Sequence, residues 1–154
     1  MGTGKTLVAI AKSIEAINAG MPVLYVGPVA IVSQVRSEYV SHSTIPGDKI
    51  CTFHGKHRFS ELDRAMSRGV EVVITNYNSL VTEYKHFTDT TDSTLITTEW
   101  GLIVFDESHI ARNVKTFTFN ACNSMYAERV LCMTGTPIVN RKKDIIAASR
   151  LIRQ

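Results

Sequence analysis

The chain has 154 residues, 44% of them hydrophobic and 20% charged, with a formal net charge of +3. That length suits a single domain with a real core, and the composition is that of an ordinary globular protein rather than a disordered or fibrous one. No apolar run approaches a membrane span, Lys12 and Glu15 interrupt the apolar start too early for a secretory signal, and Cys51, Cys122 and Cys132 form no Cys-x-x-Cys pair, so an intracellular protein with reduced thiols and no membrane partner is expected. A pI near 8.8 permits a nucleic-acid partner without arguing for one.

Taken in order, Gly2-Thr3-Gly4-Lys5-Thr6 matches the end of the phosphate-binding pattern G-x-x-x-x-G-K-[ST], whose first glycine would precede Met1. Glycines let backbone N–H groups turn inward around phosphate oxygens. Lys5 would reach the β- and γ-phosphates, and the Thr6 hydroxyl would bind Mg²⁺. A plain Gly-rich tail is the competing reading. Leu7, Ile10, Ile14 and Ile17 predict a helix with those residues as its buried stripe, closed by Gly20 and Pro22. Its N-terminus would face the phosphates with a partial positive charge.

Val23 to Val26 predicts a buried strand, Ala30 to Val40 a helix, Ser41 to Lys49 a loop and Ile50 to Phe53 another strand. Cys51, His54 and His57 have spacing like that of metal ligands. They lack a fourth ligand, and a strand would send Cys51 and His54 to opposite faces, which disfavours a metal site. Lys56-His57-Arg58 is a small basic cluster. Ser60 to Arg68 reads as a short charged helix stopped by Gly69, Val70 to Thr75 as a strand, and Asn76-Tyr77-Asn78 as the lead into a short helix. Thr88 to Thr98, rich in Thr and Asp, reads as a mobile surface insertion.

Leu102-Ile103-Val104-Phe105 is a short, unalternating apolar run, as in a strand buried on both faces. It runs straight into Asp106 and Glu107, adjacent carboxylates that repel each other unless a cation or a proton is near. Mg²⁺ held through phosphates is one answer, since it commonly takes only one or two protein carboxylates; a surface turn is the other. A helix around Phe117 to Ala127 and a strand over Arg129 to Met133 follow. Thr134-Gly135-Thr136-Pro137 then puts two hydroxyls at a strand end, or makes a plain Gly-Pro turn. Arg141-Lys142-Lys143 reads as a solvated charge run, and Asp144 to Ile152 as a last amphipathic helix.

Strands alternating with helices imply an α/β fold, a mostly parallel sheet with helices on both faces. In such sheets ligands bind at the C-terminal strand edge, where the phosphate loop and the Asp-Glu pair could meet. That supports a Mg²⁺-nucleoside triphosphate site, with Asp106 holding Mg²⁺ through water and Glu107 orienting or deprotonating the attacking water.

The order of Gly4-Lys5-Thr6, Asp106-Glu107-Ser108-His109 and Thr134-Gly135-Thr136-Pro137 resembles that of superfamily-two helicases. Finer features resemble the Swi/Snf branch of DNA-dependent ATPases: Pro28, Ile31, Gln34 and Glu38 (with Val35 where that family usually has Trp), Ile74-Thr75-Asn76-Tyr77, Trp100, Asn113, and Leu131 to Asn140. Compact members of this branch occur in large insect DNA viruses as global transactivator-like proteins. The resemblance implies a RecA-like P-loop fold, ATP and Mg²⁺, and double-stranded DNA as activator, with work in the nucleus or, for a virus, the host nucleus. It implies a catalytic set of Lys5, Asp106 and Glu107, nucleotide contacts from Gly2, Thr3, Gly4, Lys5 and Thr6, Mg²⁺ at Thr6 and Asp106, and coupling of nucleotide state to movement through His109, Thr134, Gly135 and Thr136. DNA backbone contacts would come from the loops after Pro28 and Thr75.

The family has two RecA-like lobes. Residues 1–154 correspond to the first, expected to be cut short at both ends and to lack the first strand of the sheet, which should leave an exposed apolar groove. The second lobe supplies arginines worth about 10³–10⁵ in turnover, so this lobe alone is expected to be weak or inactive. A non-catalytic module that binds nucleotide or DNA therefore stands beside the enzyme reading. A small-molecule P-loop kinase accounts for neither Asp106–His109 nor Thr134–Pro137.

Overall fold

A computed structural model describes residues 4–55 and 58–135. The expectations for Gly2, Thr3, Lys56, His57, Thr136 and the charge run and helix after it lie outside the described residues. Five strands, β1 (Val23–Gly27), β2 (Ile50–Phe53), β3 (Val72–Asn76), β4 (Trp100–Phe105) and β5 (Ala127–Cys132), form one sheet in the order β2-β3-β1-β4-β5. Every pairing is parallel. Short Val- and Ile-rich runs make such strands because both faces are covered by helices.

Alternation along each strand splits the core in two. Val23, Tyr25, Val72, Ile74, Leu102 and Val104 point to one face, against α1 (Lys5–Asn18) and α2 (Val32–His42). Leu24, Val26, Val73, Ile103 and Phe105 point to the other. There they meet α3 (Arg58–Ser67), α4 (Tyr77–Thr90), α5 (Thr94–Thr97) and α6 (Phe117–Asn123). Among the described residues no helix is long and apolar enough to cross a membrane.

Three expectations need correction. Helix α1 buries only part of the stripe that its large apolar residues mark: Ile10 is buried, and Ile14 and Ile17 pack partly buried against the core. Leu7 is half exposed, and Ala9, Ile10, Ser13 and Ala16 face the sheet. The reason is close packing: a Cβ placed on Gly101 of β4 would lie 3.3 Å from the Ala16 Cβ and 2.5 Å from that of Met21. Only small side chains fit such an approach.

The stretch Thr88 to Thr98 is not an insertion. It completes α4, turns at Thr91 with φ 59°, and forms α5, capped by Ser93 on the Ile96 N–H. Leu95 and Ile96 are buried, and the Trp100 indole donates to the Leu95 carbonyl at 3.2 Å. Finally, α4 runs 14 residues rather than a short turn or two, while α6 stops at Asn123.

Strand β5 pairs only with β4 among the described residues, and Glu128 and Arg129 on it are exposed. Arg129 reaches Glu15 of α1 at 3.0 Å across that edge.

Candidate active site

The connection leaving β1 runs toward β2 and the one leaving β4 runs toward β5, on opposite sides. Neighbouring strands whose connections diverge open a crevice at their C-terminal ends, the usual ligand position in open α/β sheets. A cleft of about 570 Å³ lies there, bounded by Gly4, Lys5 and Thr6, by Pro28 and Ile31, and by Asp106 and Glu107.

Gly4 begins α1 in the left-handed region, φ 69°, a conformation glycine adopts without strain. No acidic residue occupies the first turn of α1, so no carboxylate of the helix itself competes for the free N–H groups there. Lys5 Nζ stands 3.5 Å from Glu107 Oε1, each side chain about a third exposed (32% and 33%). An ion pair that accessible to water contributes at most about 1 kcal/mol. Lys5 is therefore free to exchange Glu107 for a phosphate.

Asp106 and Glu107 follow β4 directly but live in different surroundings. Asp106 is 8% exposed. Its Oδ2 accepts from the Tyr25 hydroxyl at 2.7 Å, its Oδ1 from the Glu107 N–H at 2.9 Å, and its carbonyl from the Tyr77 hydroxyl at 2.7 Å. Burial, and then the Asp106 carboxylate, push the Tyr25 phenol far above the usual tyrosine range, so it remains a protonated donor. Burial does the same to Tyr77.

Glu107 has φ 49°, one of two non-glycine residues with positive φ among those described. The conformation costs about 1–2 kcal/mol, and it turns the carboxylate out of the strand line toward Lys5. Such strain clusters at functional sites. His109 Nδ1 lies 3.2 Å from Glu107 Oε2 and 3.1 Å from Thr134 Oγ1. A carboxylate only accepts, so Nδ1 carries a hydrogen whenever that contact is made. The Ser108 N–H donates to the Met133 carbonyl at 2.9 Å, tying the turn after β4 to the end of β5. Gly135 lies beside Lys5, since a Cβ on it would be 3.7 Å from Nζ.

The structure thus brings together Gly4, Lys5, Thr6, Asp106, Glu107, His109, Thr134 and Gly135. It does not unite Cys51 and His54 with a metal-binding group: no cluster of three or more His, Cys, Asp or Glu occurs among the described residues. The segment after Thr75 is a helix start rather than a loop. Thr75 donates to the Phe53 carbonyl, and Asn76 caps α4 by accepting from the Ser79 N–H. Tyr25 was not singled out by sequence, and Tyr77 only as part of a motif. A tyrosine in the middle of an otherwise aliphatic buried strand was the available signal, because its hydroxyl must find a partner.

A family model described as the SNF2-related domain matches residues 1–153. The chain belongs to the SNF2-related family. A DNA repair protein RAD5 from Mycosarcoma maydis is 30% identical over 90% of this chain and 11% of its own length. A probable global transactivator of Orgyia pseudotsugata multicapsid polyhedrosis virus is 30% identical over 99% of this chain and 30% of its own length. The SWI2/SNF2 ATPase core of Sulfolobus solfataricus, solved in complex with dsDNA, superposes with a TM-score of 0.77 at 26% identity. That match covers 99% of this chain and 30% of the other. The Hef helicase domain of Pyrococcus furiosus, at TM-score 0.79 and 22% identity, shares the fold. These findings establish a Swi/Snf-type member of helicase superfamily two with a RecA-like fold. The chain spans between 11% and 30% of the length of the two relatives named.

Proposed function

We propose that this SNF2-related chain is the ATP-binding lobe of a Swi/Snf-like DNA-dependent ATPase, in which Mg²⁺-ATP hydrolysis drives movement on double-stranded DNA in the nucleus. The observation that carries this reading is the meeting of Lys5 and Glu107, 102 residues apart in the chain, at 3.5 Å on the rim of the cleft. A loop glycine, a lysine, a hydroxyl and two carboxylates at a helix N-terminus form a donor set suited to a triphosphate with its cation.

Lys5 binds the β- and γ-phosphates, together with the backbone of Gly2, Thr3 and Gly4. Thr6 and Asp106 are the residues to hold Mg²⁺, Asp106 through water. Both Asp106 oxygens already accept from neutral donors, and each keeps a lone pair for such a water. Held by these residues, Mg²⁺ would supply compensation of the phosphate charge. Glu107 orients the attacking water and accepts its proton. The contacts of His109 with Glu107 and Thr134, with Gly135 beside Lys5, couple the γ-phosphate position to the end of β5; Thr136, outside the described residues, is assigned the same role by resemblance. DNA backbone contacts fall to the turn after Pro28 and the start of α4, where Val29 and Asn78 are exposed, and they need no base-specific residues.

A second observation bears on what the lobe does alone. Among the described residues no arginine borders the cleft. An arginine finger is worth about 10³–10⁵ in turnover, and a second RecA-like lobe is the expected source. The chain alone therefore binds Mg²⁺-ATP and turns it over slowly. DNA-stimulated phosphate release by the purified chain, with and without a second lobe from a relative, tests this. Stimulation by DNA supports the engine reading. Nucleotide binding with no phosphate release under any condition supports a non-catalytic module.

A further inference from the structure

The hydroxyl of Tyr25 is a buried polar group in an aliphatic layer. Tyr25 sits in the middle of β1, the central strand, and is fully buried. Its sheet neighbours on that face are aliphatic: Val23, Ile74 and Val104. Nothing in the packing of this layer demands a phenol, and burying a hydroxyl without a partner costs about 1–3 kcal/mol. Here the partner is Asp106 Oδ2, at 2.7 Å, across 81 residues of sequence.

Two donors act on Asp106 from two directions. Tyr25 holds one oxygen and the Glu107 N–H holds the other, which fixes the rotation of the carboxyl plane as well as its position. Both donors are neutral. An arginine or lysine in the place of Tyr25 would also fix the carboxylate but would cancel the charge that a cation needs. Tyr25 orients without neutralising.

Tyr25 is itself held. The Tyr39 ring of α2 packs edge-on against it, with centroids 6.2 Å apart and planes at 87°. The Tyr39 hydroxyl meets Ser13 Oγ of α1 at 2.7 Å, and Ser13 donates to the Ala9 carbonyl at 2.8 Å. A continuous buried path therefore runs from the helix that carries Lys5 and Thr6, through two tyrosines, to Asp106.

We infer that Tyr25 is a positioning residue for the cation of the nucleotide site, indexing the Asp106 carboxylate to helix α1. The inference rests on the nucleotide reading given above. Partners that orient a metal-binding carboxylate typically contribute 10–100-fold to metal affinity. Asp106 acts through water, so the lower end applies.

The test is binding of a fluorescent ATP analogue to the full chain, titrated with Mg²⁺ at fixed nucleotide, for the parent, Tyr25→Phe, Tyr39→Phe and Lys5→Ala. Tyr25→Phe is expected to raise the half-saturating Mg²⁺ concentration about tenfold, leaving Mg²⁺-free nucleotide affinity unchanged. Tyr39→Phe removes the hydroxyl that links the path to α1 but leaves the Tyr25–Asp106 bond in place, so it lowers the urea midpoint and raises the Mg²⁺ requirement less than Tyr25→Phe does. An unchanged Mg²⁺ requirement in Tyr25→Phe, with the parent binding normally, overturns the inference and leaves the nucleotide reading intact. A parent that binds no better than Lys5→Ala overturns both. If Tyr25→Phe fails to fold, Tyr25→Leu, which also lacks the hydroxyl but matches the aliphatic layer around it, takes its place in the Mg²⁺ titration; an unchanged Mg²⁺ requirement there overturns the inference.

Discussion

The inner and outer walls of the cleft are built from opposite materials, although Asp106 and Glu107, one from each, are neighbours in the chain. The inner wall is buried and neutral apart from one carboxylate: Asp106 receives the Tyr25 and Tyr77 hydroxyls and a backbone N–H. The outer wall is charged and about one-third open to solvent: Lys5, Glu107 and His109 pair with one another. Buried hydrogen bonds to a charge are strong and hard to exchange, while exposed ion pairs are weak and easily traded. The division suits a site in which one carboxylate must stay fixed while its neighbours change partners as phosphate arrives and leaves.

The largest effect should come from the outer wall, and in rate rather than stability. Glu107→Gln is expected to keep Mg²⁺-ATP affinity while phosphate release falls by about 10²–10⁴-fold, the usual contribution of a general base. Equal losses of binding and turnover would contradict the role given to Glu107. The inner wall should answer in stability instead. Asp106→Ala strands the Tyr25 hydroxyl in the core and is expected to cost about 1–3 kcal/mol in urea unfolding. By contrast Glu107→Gly, which relieves a positive φ at the loss of a weak ion pair, should unfold within about 0.5 kcal/mol of the parent.

The scaffold under both walls can be probed at the far end of β4. Gly101→Ala brings a Cβ to 2.5 Å from that of Met21 and should cost about 1–3 kcal/mol through overpacking, with Mg²⁺-ATP affinity unchanged in the folded protein. Alkaline unfolding gives a smaller and more gradual effect. Burial pushes Tyr39 up to about 12 from 10.0. Folding therefore holds its proton while the unfolded chain releases it. The stability this residue lends is complete below pH 10 and declines as pH rises toward 12. Tyr39→Phe should flatten that decline, by at most about 3 kcal/mol.

Much of the outer wall was legible in the sequence, because its residues lie in short local patterns. An apolar run ending in Asp106-Glu107 and a Gly4-Lys5-Thr6 turn into a helix each carry their chemistry within a few residues, and parallel α/β topology brings strand ends together. Of the inner wall only Asp106 was legible; the groups that hold it were not. The bond from Tyr25 to Asp106 joins residues 81 apart, and no local pattern encodes it. Helix α1 misled in part: Ile10 of the large apolar stripe is buried, but Leu7 is half exposed, and at Ala16 close packing against Gly101 admits only a small side chain. The Thr-rich stretch misled because polarity conceals anchors: Leu95 and Ile96 hold α5 in the core despite six threonines between 88 and 98.

The central claim, that these walls enclose a Mg²⁺-ATP site, is tested most directly by titrating the purified chain with Mg²⁺-ATP beside Lys5→Ala. Saturable binding by the parent, lost in Lys5→Ala, is the result predicted. No binding by either protein, or binding that survives the loss of Lys5, would contradict it.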